Sequence, residues 1–156
     1  MQLRCAEFTD AGAIAAVINA AFRKAESFLI DRDRIELETV QDLLRKGTFL
    51  LAVDEGAVIG CVYVEMRGAE RSYLGLLSVN PDRQKSGLGS RLMSAGEEHC
   101  AQAGSRFMDL RIVSVRKELP AFYHRLGYVE TGTEPFTAGL QPKVPCHFVN
   151  MSKPLR

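Results

Sequence analysis

The feature that most constrains the fold is a stretch in which an apolar strand leads into a glycine-rich loop and then into a helix. The strand ends at Val79, a turn follows at Asn80-Pro81, and Gly87 and Gly89 lie at the start of the next helix. This order gathers backbone N–H groups without partners at one point, where the helix dipole adds partial positive charge. The glycines let a bulky anion approach the backbone without meeting a Cβ. Two glycines alone would equally suit a simple turn before a helix, so the surrounding residues decide.

Two common phosphate-binding motifs do not match this segment of the sequence. A P-loop needs Lys and Ser or Thr after its second glycine, whereas Lys85-Ser86 precedes Gly87. A dinucleotide fingerprint needs a third glycine, but position 92 is Leu92, and Asp109 is the only acidic residue near the required offset. The pattern that remains is Gln-x-x-Gly-x-Gly directly after a strand, beginning at Gln84.

A second pattern lies downstream, where Phe122-Tyr123 falls in a short predicted helix and Leu126-Gly127-Tyr128 leads into the next strand. The two patterns resemble motifs A and B of the GNAT superfamily of N-acetyltransferases. They occur in the family's order, about 35 residues apart, with a helix and a strand between them. The chain is therefore identified as a member of that superfamily.

Composition agrees with one compact enzyme domain over residues 1–156. The chain is 46% hydrophobic and carries a net charge of +1, which favours neither nucleic acid nor an anionic membrane as a partner. No apolar run approaches 18 residues, and the N-terminus lacks a signal-peptide pattern, so we expect a cytoplasmic protein. The four cysteines form no C-x-x-C pair, and no cluster has the spacing of metal ligands, so we expect no metal.

Periodicity and turn residues predict an α/β chain in the order β-α-α-β-β-β-α-β-α-β-β, the order of the GNAT fold. The resemblance implies a mixed central sheet of about seven strands flanked by about four helices. Thr9 is the predicted N-cap of the first helix. The predicted segments are a strand at 2–6, a helix through 22, a connection at 23–38 leading to a helix that ends at 46, strands at 48–53, 57–67 and 72–79, a helix to 103, a strand at 107–113, a helix at 118–126, and strands at 128–133 and 146–152.

The resemblance also implies a role for each matched residue. Acetyl-CoA would be the acyl donor, and its pantetheine arm would lie along the strand at Leu77 and Val79 like an added β-strand. The Val79 amide would polarise the thioester carbonyl. Tyr123 would give its proton to the departing thiolate, since a phenol stays protonated at neutral pH. The pyrophosphate would lie on the loop amides of Gln84, Lys85, Ser86, Gly87, Leu88, Gly89 and Ser90.

Several residues depart from the family pattern or leave their role open. Arg116 stands where many members have Asn, and Leu119 where the residue is commonly small. The strand at 72–79 has no carboxylate to act as a base, so Glu65, His147 or a water chain are the alternatives. Glu65 alternates with Arg67 along its strand and equally suits a solvated ion pair, and His147 equally suits a structural histidine. Arg83 is either a phosphate ligand or a solvated loop charge.

The acceptor cannot be read from these letters. In this fold the acceptor pocket is built by the segments at 23–38 and 134–145, which here show no strongly acidic cleft. A small amine, an amino acid and a peptide N-terminus all stay open, and a homodimer is plausible for the family. Direct transfer of acetyl to an amine in a ternary complex is the predicted reaction. The alternative is a non-catalytic acyl-CoA-binding or regulatory module of the same fold.

Overall fold

A computed structural model describes residues 1–26, 33–136 and 142–155 of the chain. Within these ranges seven strands and four α-helices follow the predicted order. The strands are β1 (Gln2–Cys5), β2 (Thr48–Asp54), β3 (Ala57–Met66), β4 (Arg71–Val79), β5 (Phe107–Val113), β6 (Val129–Pro135) and β7 (His147–Pro154). The helices are α1 (Ala11–Glu26), α2 (Leu37–Lys46), α3 (Leu88–Gln102) and α4 (Leu119–Arg125).

The beginning and end of α1 differ from the prediction. Thr9 does not cap the helix, because it lies inside a 3-10 turn over Phe8–Asp10. In that turn the Asp10 carboxylate accepts the Glu7 N–H at 2.7 Å and also pairs with Arg4 at 2.9 Å. At its other end α1 continues through residues 23–26, which the sequence had placed in a connection. That extra turn includes Glu26, whose side chain is buried.

The seven strands form one mixed sheet in the order β1-β2-β3-β4-β5-β7-β6. The β4 and β5 strands are the parallel pair, and they are joined only where residues 71–73 face residues 107–109. Beyond this point β5 stays paired with β7 along its full length, while the rest of β4 stays paired with β3. The carboxyl ends of β4 and β5 therefore separate and leave a gap in the sheet.

Two hydrophobic clusters cover the two faces of the sheet. One packs α3 and α4 against the sheet around Leu92, Met93 and Met108, each of them fully buried. The other packs α1 and α2 around Ile14 and Ile18. The apolar residues of each helix recur at helical spacing, which gives a single buried stripe per helix. The two clusters thereby hold α3 and α4 on one side of the gap and the end of α1 on the other.

A β-bulge at Leu76 interrupts β4 close to the gap. Leu76 has a φ of +56°, which is uncommon for a residue with a side chain. The pairing with β3 shifts there, because Cys61 faces Ser78 whereas Tyr63 faces Gly75. The Leu76 carbonyl accepts the Ser78 hydroxyl at 3.0 Å. One extra residue thus enters β4 between its two halves.

Candidate active site

The gap between β4 and β5 opens into a cavity of about 730 Å³. This volume is in the range of small-molecule and cofactor sites. Its floor is formed by residues 74–79 of β4 and 110–113 of β5, and the start of α3 and the side of α4 form two of its walls. The last turn of α1 contributes Phe22 and Glu26 at the end away from α3.

The loop between β4 and α3, with the first residues of α3, is the segment predicted to bind an anion and is called the cradle. Its backbone is left-handed at Lys85 (φ +66°) and at Gly87 (φ +80°), which turns the chain tightly into the helix. The side chain of Gln84 closes the loop by donating to the Val79 carbonyl at 3.3 Å. The first amides of α3 have no intrahelical acceptor, and at Gly89 an added Cβ would come no closer than 3.6 Å to another residue. The cradle is thus open toward the cavity.

The residues predicted for the cradle are almost all at the cavity surface. Those that line it are Gln84, Lys85, Gly87, Leu88, Gly89 and Ser90. Ser86 is not among the lining residues, and its hydroxyl donates to the Arg83 carbonyl at 2.6 Å. Arg83 lines the cavity but pairs with Asp54 of the neighbouring hairpin at 2.7 Å.

The bulge decides which backbone groups of β4 face the gap. The Asn80 N–H donates to the Ile59 carbonyl at 2.8 Å, so the next pair, Val79 with Gly60, is not hydrogen-bonded. The Val79 N–H therefore points away from β3 and toward the gap. By the same alternation Leu77 also presents its backbone to the gap, and both residues line the cavity.

Tyr123 of α4 lines the cavity and is 8% exposed. Its ring packs edge-on against Phe122 and Tyr128, with centroids 5.0 and 6.0 Å away. Burial raises the pKa of Tyr123 to about 12, against a smaller opposing effect of the Arg116 charge. No hydrogen bond to its hydroxyl is found in the described part of the chain. The hydroxyl therefore stays protonated and available to a bound molecule.

A buried ion pair closes the end of the cavity away from α3. Arg116, in the loop before α4, donates to the Glu26 carboxylate at 2.5 Å, and these side chains are 13% and 5% exposed. The Arg116 Nε also donates to Glu118 at 3.1 Å. Arg34 lies beside the pair, with its guanidinium 5.3 Å from the centre of the Phe22 ring. Burial lowers the pKa of Arg34, and the negative charge of Glu26 opposes that effect.

The two candidate bases named from the sequence lie outside the cavity lining. Glu65 accepts hydrogen bonds from Tyr63 at 2.7 Å and Arg67 at 2.8 Å. Burial acts to raise the pKa of Glu65, but these hydrogen bonds outweigh it and hold that pKa below its usual range. His147 is exposed, and its backbone N–H donates to Ser114 at 3.0 Å. Neither side chain is placed to take a proton from a molecule in the cavity.

Sequence reasoning missed the polar end of the cavity. Glu26 and Arg34 come from the predicted acceptor segment at 23–38, and Phe136 from the one at 134–145, but none was singled out. The parts of these segments at 27–32 and 137–141 lie outside the described residues. Arg116 was noted only as a departure from the family pattern. Its partner is 90 residues away in the chain, so no local signal connects them.

The described ranges contain no group of three or more His, Cys, Asp or Glu side chains that could hold a metal ion. No helix in them is both long and apolar enough to cross a membrane.

Solved structures of known proteins share this architecture. An aminoglycoside 6'-N-acetyltransferase complexed with coenzyme A matches with a TM-score of 0.80 and 17% identity, over 100% of this chain and 98% of that one. A ribosomal-protein-alanine N-acetyltransferase from Brucella melitensis matches with a TM-score of 0.79 and 21% identity, over 99% of each chain. At these identities the likeness shows the fold alone, which is the fold of the N-acetyltransferases.

The family follows from the sequence comparison. A family model described as the acetyltransferase (GNAT) domain matches residues 45–130, more than half of the chain. The chain therefore belongs to the GNAT family of acetyltransferases. A mycothiol acetyltransferase from Actinosynnema mirum is 30% identical over 122 residues, which is 76% of this chain and 41% of that protein. The chain spans less than half the length of the curated relatives it matches.

Proposed function

We propose that this chain transfers the acetyl group of acetyl-CoA directly to an amine acceptor. The observation that carries the proposal is that a tight loop ending in the free amides of a helix N-terminus lines the same cavity as the buried, protonated Tyr123, at a gap in the sheet. Membership of the GNAT family and the acetyltransferases among its relatives support it. The proposal keeps the single domain predicted over residues 1–156.

The residues of the cavity fit a coenzyme A ester. Its pyrophosphate would be held by the amides at residues 84–90, where left-handed backbone and a helix N-terminus concentrate partial positive charge. Its pantetheine arm carries amide groups, which would pair with the backbone of Leu77 and Val79 like an added strand. A structure of the same fold was solved with coenzyme A, which supports this assignment.

The Val79 N–H and the Tyr123 hydroxyl would perform the chemistry. Attack by a neutral amine forms the C–N bond of the product and breaks the C–S bond of the thioester. The Val79 N–H faces the gap and would stabilise the negative charge that develops on the carbonyl oxygen. The Tyr123 hydroxyl would give its proton to the departing sulfur. The amine would lose its own proton to water, because no carboxylate of β4 is available as a base.

The acceptor is an amine in this proposal, but the fold does not specify which one. Proteins of this fold are named for an aminoglycoside and for the alanine of a ribosomal protein, which differ in size and charge. The choice must therefore depend on side chains at the end of the cavity away from the cradle.

The first test is a thermal melt with acetyl-CoA, free CoA and ATP. A ligand at about 100 times its Kd adds about 2.7 kcal/mol to the free energy of unfolding. For a chain of this size that raises Tm by about 5–11 °C. We expect a rise with acetyl-CoA and CoA but not with ATP, followed by release of CoA thiol when an accepted amine is added. If none of these ligands changes the Tm of a folded sample, the loop does not bind coenzyme A and the proposed reaction is refuted. Binding without thiol release across a broad amine panel would instead indicate a non-catalytic module.

A further inference from the structure

The end of the cavity away from the cradle holds more positive than negative buried charge. Glu26 and Arg116 neutralise each other at 2.5 Å. Arg34 lines the same end, and no carboxylate lies within ion-pair distance of it in the part of the chain that the structure describes. The three side chains together carry a net charge of +1.

Among the described residues, the neighbouring charged groups do not cancel this excess. Arg111 also lines the cavity, with its guanidinium 3.9 Å from the centre of the Phe148 ring. It donates to Glu134 at 3.1 Å, and Arg116 donates to Glu118 at 3.1 Å. These two carboxylates are 41% and 63% exposed, so water screens much of their charge. Tyr123, which lines the same space, is neutral at neutral pH, because burial raises its pKa to about 12.

Such an end suits an acceptor that brings its own negative charge. An amine with no other charged group would meet a positive surface, which disfavours an ammonium ion. A planar guanidinium binds a carboxylate through two parallel N–H bonds and has little competition from water in a partly buried site. The Arg34 guanidinium lies 5.3 Å from the centre of the Phe22 ring, which is within the range of a cation–π contact.

We propose that the acceptor is a small amine that also bears a carboxylate, of the free amino acid class, and that Arg34 binds this carboxylate. The inference rests on the proposed acetyl transfer and narrows its acceptor. Peptide N-termini, polyamines and amino sugars without an acidic group would then be poor acceptors, because they bring no anion to the guanidinium.

The test compares common α-amino acids with their α-carboxamides as acceptors in a thiol-release assay. The two members of each pair differ in the carboxylate. The amine of the carboxamide is also less basic, so a larger fraction of it is neutral and able to attack. Without a carboxylate-binding site, the carboxamide should therefore be the better acceptor. We expect higher kcat/KM for the acids. Arg34→Gln should lower kcat/KM for the acid by about 10- to 100-fold and change the value for the amide little. Arg23→Gln is the matched control, because Arg23 is two-thirds exposed and outside the cavity lining.

The outcomes separate this inference from the proposed function. Thiol release that is equal for both members, or higher with the amide, would overturn the inference and leave acetyl transfer intact. An equal loss with both members in Arg34→Gln would also overturn it, provided that acetyl-CoA still raises Tm. If acetyl-CoA binds but no compound turns over, the Tm is measured in saturating CoA with each acid and with its carboxamide, which tests the same binding preference. A further rise with acids alone supports the inference, and no difference refutes it.

Discussion

Replacing Tyr123 with Phe separates a catalytic hydroxyl from a structural ring. The change deletes one oxygen atom and keeps the ring contacts with Phe122 and Tyr128. In the described residues the hydroxyl has no hydrogen-bond partner whose loss would destabilise the fold. If it donates the proton that the departing sulfur needs, the variant should bind acetyl-CoA normally and turn over slowly.

The two expected effects differ widely in size. Loss of a general acid lowers turnover by about 10²–10⁴-fold. Loss of a hydroxyl without a protein partner should change the free energy of unfolding by less than about 0.5 kcal/mol. That corresponds to a change in Tm of less than about 2 °C for a domain of this length.

Tyr128→Phe is the matched control, since it makes the same chemical change 6.0 Å away with the opposite expectation. The Tyr128 hydroxyl donates to the Glu97 carboxylate at 2.8 Å, and Lys153 donates to the same carboxylate at 2.8 Å. A hydrogen bond to a charged group contributes about 1.5–3 kcal/mol, so Tm should fall by about 3–12 °C. Turnover below the new Tm should be retained, because Tyr128 does not line the cavity.

Both variants are measured by thermal melt and by thiol release at saturating acetyl-CoA. Unchanged turnover in Tyr123→Phe would remove this hydroxyl from the mechanism. A drop in Tm as large as that of Tyr128→Phe would mean that the hydroxyl has a structural partner, and the rate loss could then be indirect. Equal rate losses in the two variants would refute the assignment of different roles.

Three further changes test other parts of the site. Because the proton on Tyr123 is lost only as pH rises through its pKa of about 12, a plot of kcat/KM against pH should show no falling limb near 10; a limb there would mean an ordinary phenol. Gly89→Asp should raise the Kd of acetyl-CoA at least about 10-fold by charge repulsion without lowering Tm, since a carboxylate suits a helix N-terminus. Thr39→Asp in the first turn of α2 should leave that Kd unchanged, and equal effects would argue against the cradle. Arg116→Ala leaves Glu26 buried without its partner, so unfolding should become about 3–5 kcal/mol easier and Tm lower by about 6–20 °C. Adding Glu26→Gln to this variant should recover part of the lost Tm. An unchanged Tm in Arg116→Ala alone would mean that the pair is hydrated.

The features that sequence predicted correctly depend on neighbouring residues. Gly87 indicates the tight turn into α3, because glycine adopts left-handed backbone without a steric cost, and Gly89 leaves the start of that helix without a Cβ. The strand before the loop and the helix after it follow from apolar periodicity. The order of elements, and with it the fold, could therefore be predicted from local patterns and from the family resemblance.

The features that it missed depend on residues far apart in the chain. Glu26 and Arg116 are 90 residues apart, and either alone is an ordinary surface charge. The first helix was ended too early because Arg23 and Lys24 are polar, although charged residues near a helix C-terminus are favourable. Thr9 is a good N-cap by type, but a 3-10 turn over Phe8–Asp10 precedes the helix, and in it the Asp10 carboxylate accepts the Glu7 N–H and pairs with Arg4. A side-chain contact that residue type alone does not reveal thus decides where the helix begins.

The bulge at Leu76 shows why the site itself could not be derived from the strand pattern. The Arg67 N–H donates to the Arg71 carbonyl, so Arg71 presents its backbone polar groups to β3. In a regular β4 every second residue after Arg71 would do the same, and Val79 is one of them. The extra residue at Leu76 reverses this alternation, and the N–H of Val79 points into the gap instead. Leucine, unlike glycine, does not indicate a positive φ, so the sequence does not predict the reversal. If the loop binds the pyrophosphate of acetyl-CoA as proposed, the reversed alternation gives the thioester beside it a backbone donor. We therefore infer that the bulge, more than the glycines, converts an anion-binding loop into a site for acyl transfer.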